Sequence, residues 1–487
     1  MTTTKPVRHG LLLFGLALGT RAAAWLGGGD GGAPSTANYL GDAPVWQRYA
    51  HDHLRSIEWL LPFRPPAMAW LTDALSDGQS FWLLRGLLVV LGALVAPLCY
   101  RALRAIVTAR IAVTAGAIVA VSSSLVQLGN GVHSEIPYLF LFALSVGDVD
   151  RLRTAPTATV AARWGVLQAA ACLFRVDHLA FVGLQIGWIA LRRWPSWPRT
   201  IGVALGALAI TLAPWQWHAD KQIHVANTRG FPGNEPPPLP LPGALPWDPA
   251  AVRALAEVPA FARLMTFRFV DDTMRARGAA RVRAADLAVV REAYDAMPEP
   301  LATPLLVLYG PLNFFLANSP ESTGGFTRAA LDRLPPLAEG SAIWPPGIDE
   351  ALPRGGDLVL EYPPHLAAVE HGYRLGLTWM ASHPLAAARL IGAKLLLAWR
   401  GAATGIGSYN LPMGTAAVRE PVDLATADGP AAPFWRLALL LLDGCGLWRA
   451  RSTRGASPWC CWLGAKAVTG SLFFGYARLG ALCVPSL

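Results

Sequence analysis

Phe81-Trp-Leu-Leu-Arg85-Gly-Leu-Leu-Val-Val-Leu-Gly-Ala-Leu-Val-Ala-Pro97-Leu-Cys-Tyr100 holds a single charged side chain, and Arg101, Arg104 and Arg110 follow it at once. A helix needs roughly 20 apolar residues to cross the hydrocarbon core of a bilayer. This stretch has that length, and arginines crowded at one end mark a loop retained in the cytoplasm. The rest of the chain has a matching composition: 53% of residues are hydrophobic and 15% charged, with a mean hydropathy of +0.36. A soluble domain carries about 25% charged residues. The 19 tryptophans suit a protein with two membrane–water interfaces. The net charge of +9 sits mainly on arginines between apolar runs. It therefore reads as membrane orientation, and nucleic acid is excluded as a partner.

Outward from this run, the same length test finds spans over 9–27, 110–128, 133–147, 160–174, 176–191 and 201–217, and later over 433–447 and 462–483. The expected fold is an all-α polytopic membrane protein of about nine transmembrane helices with an extracytoplasmic loop domain. The first run follows Lys5 and Arg8 and contains Arg21. It reads as a retained anchor with a cytoplasmic N-terminus, because no small-residue cleavage site follows it. With that orientation three arginine groups fall on the cytoplasmic side: Arg101/Arg104/Arg110, Arg151/Arg153/Arg163 and Arg192/Arg193/Arg199.

Three regions follow. Residues 1–217 form an N-terminal transmembrane module whose first outer loop is 28–80. Residues 218–382 form an extracytoplasmic region with interfacial helices, and 383–487 add an interfacial helix and the C-terminal spans. Within the middle region 234–246 is proline-rich and 253–296 is expected to be helical. The apolar run 301–318, broken by Pro304, Gly310 and Pro311, reads as interfacial or re-entrant, with a true span as the alternative. Arg389 and Lys394 favour an interfacial position for 383–400. No internal repeat is visible. The six cysteines form no CxxC pair and read as small core hydrophobes.

Polar groups expected at the outer face are the candidates for chemistry. Asp42, in Tyr39-Leu-Gly-Asp42-Ala-Pro-Val-Trp46, follows the first span. It is placed either to act as a general base or simply to cap the helix after it. Arg64, His133, Glu135, Arg175, His218 and Arg478 are expected at the same face, where the cations suit a lipid phosphate. For Arg175 a local pair with Asp177 is the plainer alternative. In His51-Asp52-His53 adjacent side chains point apart on a helix, so no metal site is assigned.

The order of these pieces resembles the GT-C glycosyltransferases, in particular the dolichyl-phosphate-mannose–protein mannosyltransferase and aminoarabinose-transferase branch. The resemblance rests on Asp42 to Ala50, Arg64-Pro65-Pro66, Ser134-Glu135-Ile-Pro137-Tyr-Leu-Phe, Leu173-Phe-Arg175, Pro214-Trp215, His383-Pro384 and Phe473-Phe-Gly-Tyr-Ala-Arg478. It covers 1–218 best, returns over 362–487 and leaves 219–361 unmatched. It implies a polyprenyl-phosphate sugar donor; a glycan, lipid or protein acceptor; inversion at the anomeric carbon; and Asp42 as the base. No cofactor is implied, with room left for a divalent cation. The family often places a second acid beside this aspartate, where this chain has Ala43. Relatives also continue with further spans beyond the counterpart of Arg478, which would make this chain short or truncated at its C-terminus. A transporter or flippase of a lipid-linked substrate, and a catalytically inactive scaffold, are the alternatives.

Overall fold

The computed structural model describes residues 4–26, 46, 61–75, 81–230, 240–288, 300–332, 358, 360, 363–402, 434, 437–438, 441, 445–446, 456–475 and 477–486. Among them every regular element is helical, and strand pairing is limited to an isolated bridge between Trp247 and Val282. Among the described residues two helices are long and apolar enough to cross a membrane, Trp82–Leu103 and Trp197–Arg229. The pair Ala109–Val121 and Ser123–Asn130, bent by 48°, adds a third if it counts as one span. Ala158–Phe174 and His178–Leu191 are apolar but shorter. Asp42, the His51-Asp52-His53 triplet and most of 433–447 lie outside the described residues.

The chain divides into two compact units. The first comprises Met1–His53, Pro65–Pro214 and Ile391–Leu487; the second comprises Leu54–Arg64 and Trp215–Leu390.

In the first unit Thr4–Leu26, Trp82–Leu103, the bent pair and Glu135–Thr154 pack together, and His178–Leu191 packs on Ser457–Leu472. The interior is a nest of aromatic rings around Trp462: Phe142 stacks on it with centroids 3.6 Å apart and Tyr138 at 5.2 Å. The outside is apolar as well. Leu83, Val90, Ile111, Ile118 and Ile210 are exposed, Ile210 to 76%. Only 22% of the apolar window of Trp197–Arg229 is buried. Helices that are apolar inside and out have a lipid solvent.

Arg21 has a specific task in this bundle. Ser122 takes an extended conformation and breaks the helix between Val121 and Ser123, so Ala120 loses its helical hydrogen-bond donor. The Arg21 guanidinium donates to the Ala120 carbonyl at 3.0 Å, and the Thr20 hydroxyl donates to it at 3.1 Å. Gly92 and Gly129 leave the room: a Cβ at either would meet the Arg21 Nε at 2.9 or 3.2 Å. The charge that interrupts the first apolar run thus satisfies the broken backbone of another helix, which hydrocarbon could not do.

The expected span over 462–483 needs correction. The helix is Ser457–Leu472, stops at Phe473 and resumes only as Ala477–Ala481. The interruption brings Gly475 and Gly480 flush against the carbonyls of Lys394 and Ala398, where no Cβ fits. Lys394 itself is fully buried and donates to the Ser471 carbonyl at 3.3 Å, whereas Arg389 stays exposed. Only one of the two charges assigned to an interfacial helix therefore faces outward.

In the second unit the helical expectation for 253–296 breaks into Pro249–Glu257 and Ala260–Ala276, because Pro259 cannot donate within a helix, and a 3-10 turn at Ala284–Leu287 follows. Over 301–318 only Tyr309–Ala317 is helical, about 13 Å of rise, too short to cross a bilayer alone. The preceding 301–306 is a strap tied to the Trp197–Arg229 helix. Trp215 Nε1 donates to Leu306 O at 2.8 Å, Gln216 pairs with Pro304 and Leu306, and Asn227 pairs with both backbone groups of Leu301.

Candidate functional site

The site begins at a three-residue hairpin. The Ala158–Phe174 helix ends as Arg175 N bonds Ala171 O, and the next helix begins at His178. Asp177 holds the N-cap position, where a carboxylate ordinarily accepts from the helix backbone. It makes no such bond. Its Oδ1 instead accepts from Arg175 Nε at 2.9 Å, and its Oδ2 accepts from Lys466 Nζ at 2.8 Å.

The same two cations extend the network in both directions. Arg175 Nη1 donates to Glu135 Oε1 at 2.7 Å, and Arg478 Nη1 lies 3.5 Å from that oxygen. Glu135 is the first residue of Glu135–Thr154 and only 1% exposed. Pro137 is tolerated here because the first helical turn has no donor to lose. Tyr138, three residues on, lies on the same helix face. Lys466 Nζ donates to its hydroxyl at 2.7 Å. That hydroxyl is 3.2 Å from His178 Nδ1, whose Nε2 is 2.7 Å from Gln168 Oε1. The result is one continuous chain: Arg478, Glu135, Arg175, Asp177, Lys466, Tyr138, His178, Gln168.

Among the described residues this chain holds three cations and two carboxylates. Each carboxylate is held by two cations: Glu135 by Arg175 and Arg478, and Asp177 by Arg175 and Lys466. Buried charges of this kind cost several kcal/mol each unless paired. The pairing is therefore a condition of having charges here at all. Chemically, the arrangement is a rigid, water-poor array of positive donors, suited to hold or stabilise an anion.

The structure brings together three of the residues singled out by sequence, Glu135, Arg175 and Arg478. His133 is buried nearby in the chain, and its ring fills the space where a Cβ on Gly131 would stand, 2.6 Å from the ring. Arg64 and His218 belong to the second unit. The Arg64 guanidinium sits 5.1 Å over the Tyr309 ring, and His218 Nε2 is 3.1 Å from Gln222 Nε2. Arg175 does make the local pair with Asp177, and it makes the Glu135 pair as well. Sequence reasoning did not single out Lys466, Tyr138, His178 or Gln168 as site residues, and it gave Asp177 only as a local partner for Arg175. Lys466 carried a usable signal: it is a lysine inside an apolar run, the kind of residue a membrane makes costly.

Among the described residues no group of three or more His, Cys, Asp or Glu is arranged to hold a metal ion. Cys99, Cys172 and Cys461 are buried free thiols. No protein-family model, no curated protein and no solved structure matches this chain.

Proposed function

We propose that this protein is a polytopic integral-membrane glycosyltransferase with an extracytoplasmic domain, taking a sugar from a polyprenyl-phosphate donor. The observation that carries the reading is the buried chain of Arg175, Lys466 and Arg478 on Glu135 and Asp177. Asp42 removes the proton of an acceptor hydroxyl, and the acceptor oxygen attacks the anomeric carbon. The bond from that carbon to the phosphate oxygen breaks, and polyprenyl phosphate leaves with the electron pair. Negative charge grows on the phosphate, and fixed cations in a low-dielectric site stabilise it more than water does.

The test is reconstitution in lipid vesicles with synthetic polyprenyl-phosphate sugars and detection of glycosylated acceptor. Transfer by the wild type, lost in Asp42→Asn with the fold intact, supports the reading. Unchanged transfer by Asp42→Asn removes Asp42 from the base role.

One observation favours a second reading. Lys466 lies within the apolar helix Ser457–Leu472, bonded to Tyr138, a placement expected of a transporter or flippase. Movement of the labelled lipid-linked sugar across the vesicle membrane, with no transfer to acceptor, would establish that alternative.

A further inference from the structure

The Glu135–Thr154 helix has chemistry at both ends. Its far end, roughly 28 Å from Glu135 at 1.5 Å per residue, helps line a cavity of about 280 Å³. That volume is close to the lower limit of small-ligand pockets. Three arginines line it, Arg101 from the end of Trp82–Leu103 and Arg151 and Arg153 from the last turn of Glu135–Thr154, with Asp150 and Trp194 beside them.

The three guanidiniums are committed to different degrees. Arg153 Nη2 is held by Asp150 Oδ1 at 2.7 Å. Arg151 Nη1 approaches Oδ1 of the buried Asp148 only to 3.7 Å, while Arg163 Nε bonds the other oxygen, Oδ2, at 2.9 Å. Among the described residues the Arg101 side chain has neither an ion pair nor a hydrogen-bond partner. Its Nη2 hangs over Gly147, 3.5 Å from where a Cβ would stand. The four arginines in and behind the cavity outnumber the two aspartates. These arginines sit at or near helix ends that the positive-inside rule assigns to the cytoplasmic side, the leaflet face rich in anionic headgroups. Trp194, nearly buried in the cavity wall, adds an aromatic surface of the kind favoured at that depth.

We infer that this cavity binds a phosphate group, with Arg101 as its principal ligand and Arg151 as the second. An anionic phospholipid headgroup and free inorganic phosphate share this chemistry. The site is separate from the Glu135 chain and does not depend on the function proposed for it.

The test uses the full-length protein in nanodiscs. Thermal stability and bound-lipid mass are read as phosphatidylglycerol replaces phosphatidylcholine, and separately as inorganic phosphate is added in pure phosphatidylcholine. Two variants act on the cavity in different ways. Arg101→Gln removes the open guanidinium, and Gly147→Leu fills the space while keeping every charge. Arg199→Gln, an exposed arginine outside the cavity, is the control. We expect phosphatidylglycerol binding to weaken about tenfold in both cavity variants, the size of a lost charged hydrogen bond, and to be unchanged in the control. Stabilisation by phosphate alone, lost in the same two variants, identifies the free anion as the ligand. Equal losses in Arg101→Gln and Arg199→Gln, with Gly147→Leu binding as wild type, would mean general surface charge and overturn the site, as would wild-type binding by both cavity variants. If one variant fails to fold, the other decides.

Discussion

Lys466 Nζ lies 2.8 Å from Asp177 Oδ2, joining a helix near the end of the chain to a hairpin almost three hundred positions earlier. Asp177→Asn leaves the buried Lys466 ammonium bonded only to the uncharged Tyr138 hydroxyl, and Lys466→Met leaves Asp177 with Arg175 as its remaining cation; breaking a buried pair costs about 3–5 kcal/mol. Lys466→Met and Asp177→Asn should each lower the unfolding temperature strongly. The double variant should lose less than the sum of the two, because the second change removes an already orphaned charge. Additive losses in thermal unfolding would show that the two side chains do not act as a pair.

Gly480→Ala drives a methyl group into the Ala398 carbonyl, and Gly475→Ala drives one into that of Lys394. Overpacking of this kind costs about 1–3 kcal/mol. Gly15→Ala, with nothing within 4 Å of the new carbon, should be neutral or slightly stabilising, since alanine is favoured in a helix by about 1 kcal/mol. Comparing unfolding midpoints of the three variants in one detergent checks the contrast.

Arg21→Met removes the guanidinium from the Ala120 carbonyl and leaves Thr20 as its remaining side-chain donor. Losing a hydrogen bond to a charged group costs about 1.5–3 kcal/mol. Filling the slot from the other side, with Gly92→Ala, should displace the same guanidinium and cost a similar amount. Hydrogen exchange at 122–126 should rise in both variants.

The helical nature of the chain was legible because hydropathy and helix length are local properties. Trp82–Leu103 needed no tertiary information, and neither did the arginines at its end. Glu135 and Arg175 were singled out because each sits at the end of an apolar run, where a charge stands out. Lys466 was missed because its partners, Asp177 and Tyr138, are far away in sequence, and only packing shows why a lysine is tolerated there. The strap at 301–306 was invisible for a related reason. Its backbone is satisfied by Trp215, Gln216 and Asn227, side chains whose reach no periodicity reports. Pro259 was visible, and the break it makes follows from its missing donor.

The Arg21 slot bears on how the protein is assembled in the membrane. A lone arginine in an apolar helix is poorly tolerated by hydrocarbon, and the partner that satisfies Arg21 is a carbonyl freed by a bend roughly a hundred residues downstream. The first helix therefore gains the partner for its charge only when Trp82–Leu103 and the bent pair stand beside it, with Gly92 and Gly129 leaving the room. Its final packing is a joint event of three chain segments and cannot be completed by the first helix alone.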